Sequence, residues 1–209
     1  MKWIFLHGLG QGPESWTGCL DALSPDGDAT CPDLFGLCGN APLVYQNLYA
    51  AFEQYMEARP GPAGLCGLSL GAVLALDYAI RHPHKVGVLV LIAPQYKMPR
   101  TLLRMQNLVF RFMPERAFAQ SGVGKEGLIR LTASMMPLDF RDGLARVSCP
   151  ALILLGEKDA ANRKAAKELV GLLSHGTLRV IPGAGHEVNL EAPRELAAAV
   201  RNFTAEIID

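Results

Sequence analysis

Gly67-Leu68-Ser69-Leu70-Gly71 sets one hydroxyl between two glycines, in a stretch with no charged residue from Ala63 to Leu76. A serine becomes a nucleophile when a base takes its proton and preorganised donors receive the charge that develops on the substrate. The pentapeptide matches G-x-S-x-G. That pattern suits a sharp turn from strand to helix, with the serine at positive φ and the glycines leaving room for crossing backbone. The hydroxyl then stands clear of the sheet, at a helix N-terminus that favours negative charge. Any base must come from elsewhere in the chain.

Five histidines are available. His82 and His84 lie in the polar stretch RHPHKV, and His175 lies in SHGT; all three read as solvated. His7 opens the glycine-rich loop HGLGQG, where a hydrogen bond that shapes the loop is its expected part. His186 lies in PGAGHEVNLEAP, after an apolar run and before the last helical segment. Parallel α/β sheets build their sites on such loops, at the carboxyl ends of strands. The base in turn needs a carboxylate to fix its tautomer and stabilise the imidazolium. Asp159 ends ALILLGEKD, again just past a strand, with Glu157 as the second choice. Serine, acid, histidine is one of the few chain orders in which such a triad occurs. For the oxyanion, the N–H of Leu70 opens the helix after Ser69, and the loop after the first strand offers the N–H of Leu9. The same loop lacks the G-x-G-x-x-G spacing of a dinucleotide site, because Pro13 stands where the third glycine belongs.

These residues need a scaffold that brings distant loops to one edge. Short β-rich runs alternate with helical segments, the pattern of a parallel sheet covered on both faces. Strands are expected at Lys2–Leu6, 29–31, 63–66, Val86–Ile92, 151–155 and 178–181, about six in all. Helices are expected at 45–58, 71–81 and 191–208, the second apolar nearly all round and therefore buried. Residues 96–148 hold no convincing strand and five of the seven methionines. Helices at 99–113 and 126–136 would make this region an insertion covering one end of the sheet. In the first of them Leu102, Met105, Val109 and Phe112 share a face, and Arg100, Arg104, Asn107 and Arg111 share another.

The whole chain, 1–209, reads as a single domain, since its 209 residues suffice for one sizeable core. Twenty basic residues balance twenty acidic ones, which argues against non-specific nucleic-acid binding. The most apolar segment is glycine-rich and too short to span a bilayer. Five cysteines without a CxxC pair argue for free thiols in a reducing cytoplasm and against a zinc site.

HGLG, PDLFGLCGN, GLSLG, GEKD and PGAGHEVNLEAP occur in the order and near the spacing of the α/β-hydrolase fold superfamily, which this chain resembles from residue 3 almost to the end. The likeness is closest to compact bacterial carboxylesterases, including those acting on acyl-carrier-linked methyl esters. It implies Ser69 as nucleophile, His186 as base, Asp159 as acid, and Leu9 and Leu70 as oxyanion donors; such chemistry needs no metal or redox cofactor. Phe35 and Leu37 depart from the segment that commonly reads PDLPGHGxS, and the usual N-terminal hairpin is expected to be reduced.

The reaction so implied is cleavage of an ester or thioester through an acyl-enzyme. A lyase or carbon–carbon hydrolase using the same triad, and a catalytically silent ligand-binding member, are the alternatives. The 96–148 segment reads as a short helical lid, with Met98, Met105, Phe112 and Met135 lining an acyl site. Its nine Lys/Arg against four Asp/Glu suggest a substrate with an anionic handle, or one linked to a carrier. On that basis acidic or carrier-bound acyl esters are expected to react faster than neutral ones.

Overall fold

The computed structural model describes residues 1–23, 29–121 and 123–208; residues 24–28, 122 and 209, part of the expected domain and lid, lie outside them. Six parallel strands form one sheet in the order β2-β1-β3-β4-β5-β6. They are β1 (Lys2–Leu6), β2 (Ala29–Thr30), β3 (Ala63–Leu68), β4 (Val86–Ile92), β5 (Ala151–Gly156) and β6 (Gly176–Ile181). Alternate residues of a strand face opposite sides of its sheet. Every residue of β3 and β5 is buried, so both faces of the sheet are covered. This is why VGVLVLI and ALILL read as unbroken apolar runs rather than alternating ones.

The helices are α1 (Thr17–Leu23), α2 (Tyr45–Glu57), α3 (Leu70–Arg81), α4 (Arg100–Phe112), α5 (Gly124–Met135), α6 (Ala160–Leu172), α7 (Val188–Glu191) and α8 (Pro193–Ile208). Helix α3 packs on β1, β3 and β4, and its residues from Leu70 to Ile80 are all buried. Its one buried acid, Asp77, accepts hydrogen bonds from Tyr45 Oη (3.0 Å) and Arg81 Nε (2.7 Å), so the charge is paired. Helix α1 packs on α8. Helix α6 is absent from the expectations above. Its sequence AANRKAAKELVGL buries only a narrow stripe, Asn162, Ala166 and Leu169, too little to stand out as a periodic apolar face.

Between β4 and β5 the chain leaves the sheet and returns through a pinched neck. Met98 N donates to Leu138 O (3.1 Å) and Phe140 N donates to Tyr96 O (2.8 Å), closing the two ends of the excursion on each other. Helices α4 and α5 pack together above that neck, and α5 also meets α2. The rotation of α4 differs from the expected one. Asn107, grouped above on one face with Arg100, Arg104 and Arg111, is buried and bonded to Thr132 and Ile129 of α5. That tether turns Leu103, Gln106 and Phe110 toward the protein. It leaves Met105 and Phe112 61% and 82% exposed, with Leu108 and Val109 beside them.

Candidate active site

A parallel sheet places the carboxyl ends of all its strands on one edge, and the loops that leave β1, β3, β5 and β6 meet there. Ser69 follows β3 directly and has φ 52° and ψ −108°, a left-handed backbone that few non-glycine residues adopt. Neighbouring strand and helix hold it there: Ser69 N donates to Ile92 O (2.9 Å), and Val73 N donates to Ser69 O (3.0 Å). The flanking glycines are steric requirements. A methyl group on Gly67 would overlap the Gly71 carbonyl and the Ala72 nitrogen, and one on Gly71 would overlap the Leu6 carbonyl.

His186 lies in the loop after β6. Its Nδ1 donates to Asp159 Oδ2 at 2.8 Å, and Asp159 is buried at the start of α6. Burial works against the Asp159 carboxylate. The hydrogen bonds from His186 and Asn162 outweigh it and hold the carboxyl below its usual range. The bond to Asp159 raises the His186 pKa above 6.5, burial opposes the rise, and the nearby charges of Asp159, Glu187 and Glu191 add to it. Glu157, the second choice of acid, is exposed and accepts from Gly183 N (2.8 Å) instead. The two loops can approach closely because position 156 is glycine; a Cβ there would overlap the Gly185 carbonyl.

Two amide side chains that sequence reading missed brace this arrangement. Asn162 Nδ2 donates to both oxygens of Asp159 (3.0 and 2.8 Å), and Asn162 Oδ1 accepts from Gln95 Nε2 (2.7 Å). Gln11 Oε1 accepts from Gly8 N (3.2 Å) and from Asn189 Nδ2 (3.2 Å), while Gln11 Nε2 donates to Glu187 Oε1 (2.9 Å). Gln11 thereby ties the loop after β1 to the histidine loop. The only sequence signal for either is position, next to HGLG and three residues after Asp159. His7 shapes its own loop as expected. Its Nε2 accepts from Leu34 N (3.0 Å), its Nδ1 meets Gly8 O (3.0 Å), and burial lowers its pKa, consistent with a neutral ring.

Ser69, His186, Asp159, Leu9 and Leu70 all line one cavity of about 640 Å³. Among the described residues Ser69 Oγ has no hydrogen-bond partner, so serine and histidine share a space without a direct bond. Leu70 N is the first amide of α3 and has no acceptor within its own helix. Met98 and Met135 also line the cavity, together with Leu103, Phe110, Met113 and Phe118. Met105 and Phe112 do not. The Asn107 tether turns both outward, and the acyl-site expectation for these two is corrected accordingly. None of the nine lysines and arginines of 96–148 reaches the lining, whose ionisable side chains among the described residues are Asp159, His186 and Glu187.

Comparison with known proteins agrees with this architecture. The chain is 31% identical over 235 aligned residues to the biotin biosynthesis bifunctional protein BioHC of Cellvibrio japonicus (strain Ueda107), covering 96% of this chain and 47% of that protein. It thus spans about half the length of that relative. It is 26% identical to the pimeloyl-[acyl-carrier protein] methyl ester esterase of Serratia marcescens, covering 97% of this chain and 93% of that one. In fold it superimposes on the enol-lactonase of Burkholderia xenovorans LB400 with a TM-score of 0.83 at 20% identity, covering 98% of this chain and 91% of that one. The model of the alpha/beta hydrolase family matches residues 3–199, and the chain belongs to that family.

Proposed function

We propose that this protein is a serine hydrolase that cleaves a carboxylic ester through an acyl-enzyme on Ser69. The observation that carries the reading is a positive-φ serine between strand and helix, sharing one cavity with a histidine held by a buried aspartate. His186 Nε2 takes the Ser69 proton as Oγ attacks the ester carbon. Asp159 keeps the Nδ1–H tautomer and stabilises the imidazolium. The amides of Leu9 and Leu70 receive the oxyanion, and His186 returns its proton to the departing alcohol. A water molecule, deprotonated in the same way, then releases the acid. Nucleophile–base bonds are often long without substrate and tighten when it binds, which accommodates the unbonded Ser69 hydroxyl.

The segment 96–148 serves as a lid within a single domain, and the apolar lining beneath it takes the acyl chain. A carrier-linked ester is the favoured substrate, on the strength of relatives described as acting on pimeloyl-carrier methyl esters. The exposed arginines of α4 would then meet the anionic carrier. Five free cysteines favour a cytoplasmic setting, and no helix among the described residues is long and apolar enough to cross a membrane.

A panel of p-nitrophenyl esters of increasing acyl length, run on wild type and Ser69→Ala, tests the proposal. Hydrolysis lost in the variant supports it, and equal rates in the two proteins reject it.

A further inference from the structure

The cavity differs in charge from the surface above it. Segment 96–148 is strongly basic, yet Arg100, Arg104, Arg111, Arg116 and Arg130 are all exposed and none lines the space beneath. Around Ser69 the lining carries the acids Asp159 and Glu187 and, among the described residues, no lysine or arginine. Farther in it is built from Met98, Leu103, Phe110, Met113, Phe118 and Met135.

The polar groups of the lining are almost all committed. Gln95 donates to Asn162, Gln11 to Glu187, and Thr132 to Asn107 and Leu128. Apart from Ser69 and His186, assigned above to the reaction, Gln106 is the exception. It is half-buried on the cavity side of α4 and has no hydrogen-bond partner among the described residues.

We propose that this cavity selects acyl groups without charge, with the Gln106 amide meeting an uncharged polar group such as a second ester or a hydroxyl. This deepens the ester-hydrolase reading and rests on it. A carboxylate carried into the cavity would lose water and meet no lysine or arginine among the described residues, in a lining that already carries the acids Asp159 and Glu187. An unpaired ion in such a setting is strongly disfavoured. A neutral ester loses less on entry and can accept from the amide. Any phosphate or carboxylate of the substrate therefore stays outside, where the arginines are. The expectation that acidic acyl esters react fastest is replaced for the acyl group itself.

Calorimetric binding of dimethyl suberate and monomethyl suberate to Ser69→Ala protein at pH 8 tests the proposal without turnover. The two ligands differ at one end only, neutral against anionic. The diester should bind at least about tenfold more tightly, as an unpaired buried charge requires. Adding Gln106→Lys, which supplies a cation, should narrow or invert that ratio. Equal or tighter binding of the monoacid to the Ser69→Ala protein would overturn the proposal, as would failure of both ligands to bind. Diester preference in a protein whose wild type hydrolyses no ester would instead refute the hydrolase reading and leave the charge selection standing.

Discussion

His186 Nδ1 lies 2.8 Å from Asp159 Oδ2, and the same carboxylate takes two further hydrogen bonds from the Asn162 amide. The histidine is thereby fixed as the Nδ1–H tautomer, with Nε2 left to accept a proton. On the proposed mechanism only the neutral ring takes the serine proton, and the Asp159 hydrogen bond holds its pKa above the ordinary histidine value. Activity should therefore be lost as pH falls, with the rising limb of kcat/KM shifted above the ordinary histidine range. Asp159→Asn should move that limb downward and cut kcat by about 10³- to 10⁴-fold, as loss of the orienting carboxylate does in such triads. A pH–rate profile of both proteins checks the pair.

Asn162→Ala should act in the opposite direction on the same limb. Without two donors the Asp159 carboxylate keeps more of its charge for the imidazolium, so the limb moves up. Freedom gained by the carboxylate should lower kcat about tenfold, the scale of losing one supporting contact to a catalytic group. An upward limb with reduced kcat is the expected result, measured beside Asp159→Asn.

The glycines around Ser69 separate steric need from propensity. Gly71→Ala would press a methyl group into the Leu6 carbonyl and should unfold the protein or cost roughly 3 kcal/mol or more, the range of severe overpacking. At Gly171, near the end of α6, an added methyl group would meet no atom within 4 Å. Gly171→Ala should stabilise by about 0.5–1 kcal/mol through helix propensity. Urea denaturation of both variants reads the contrast.

The two groups of apolar residues expected to bind the acyl chain should part in the same assay. Met135 is buried, and Met135→Ala should cost about 2–5 kcal/mol. Phe112 is 82% exposed, and Phe112→Ala should fall within about 0.5 kcal/mol of wild type.

This contrast also marks where sequence reading stops. Strands β4 and β5 were legible because burial on both faces makes them unbroken apolar runs. The placement of Ser69, Asp159 and His186 at one edge of the sheet was legible because each follows a strand of a parallel sheet. The rotation of α4 was not. The bond between Asn107 and Thr132 joins two helices, and no periodicity within α4 records it. Gln11 and Asn162 were missed for the same reason, since an amide reveals its partners only once distant loops meet. Helix α6 escaped because three buried residues make a poor apolar stripe.

The central claim is that Ser69 is the nucleophile. Intact-mass analysis after treatment with a fluorophosphonate, followed by peptide mapping, tests it most directly. One adduct per chain, located on Ser69 and absent from a folded Ser69→Ala variant, is the predicted result. No adduct on wild type, or equal labelling of the variant, would contradict it.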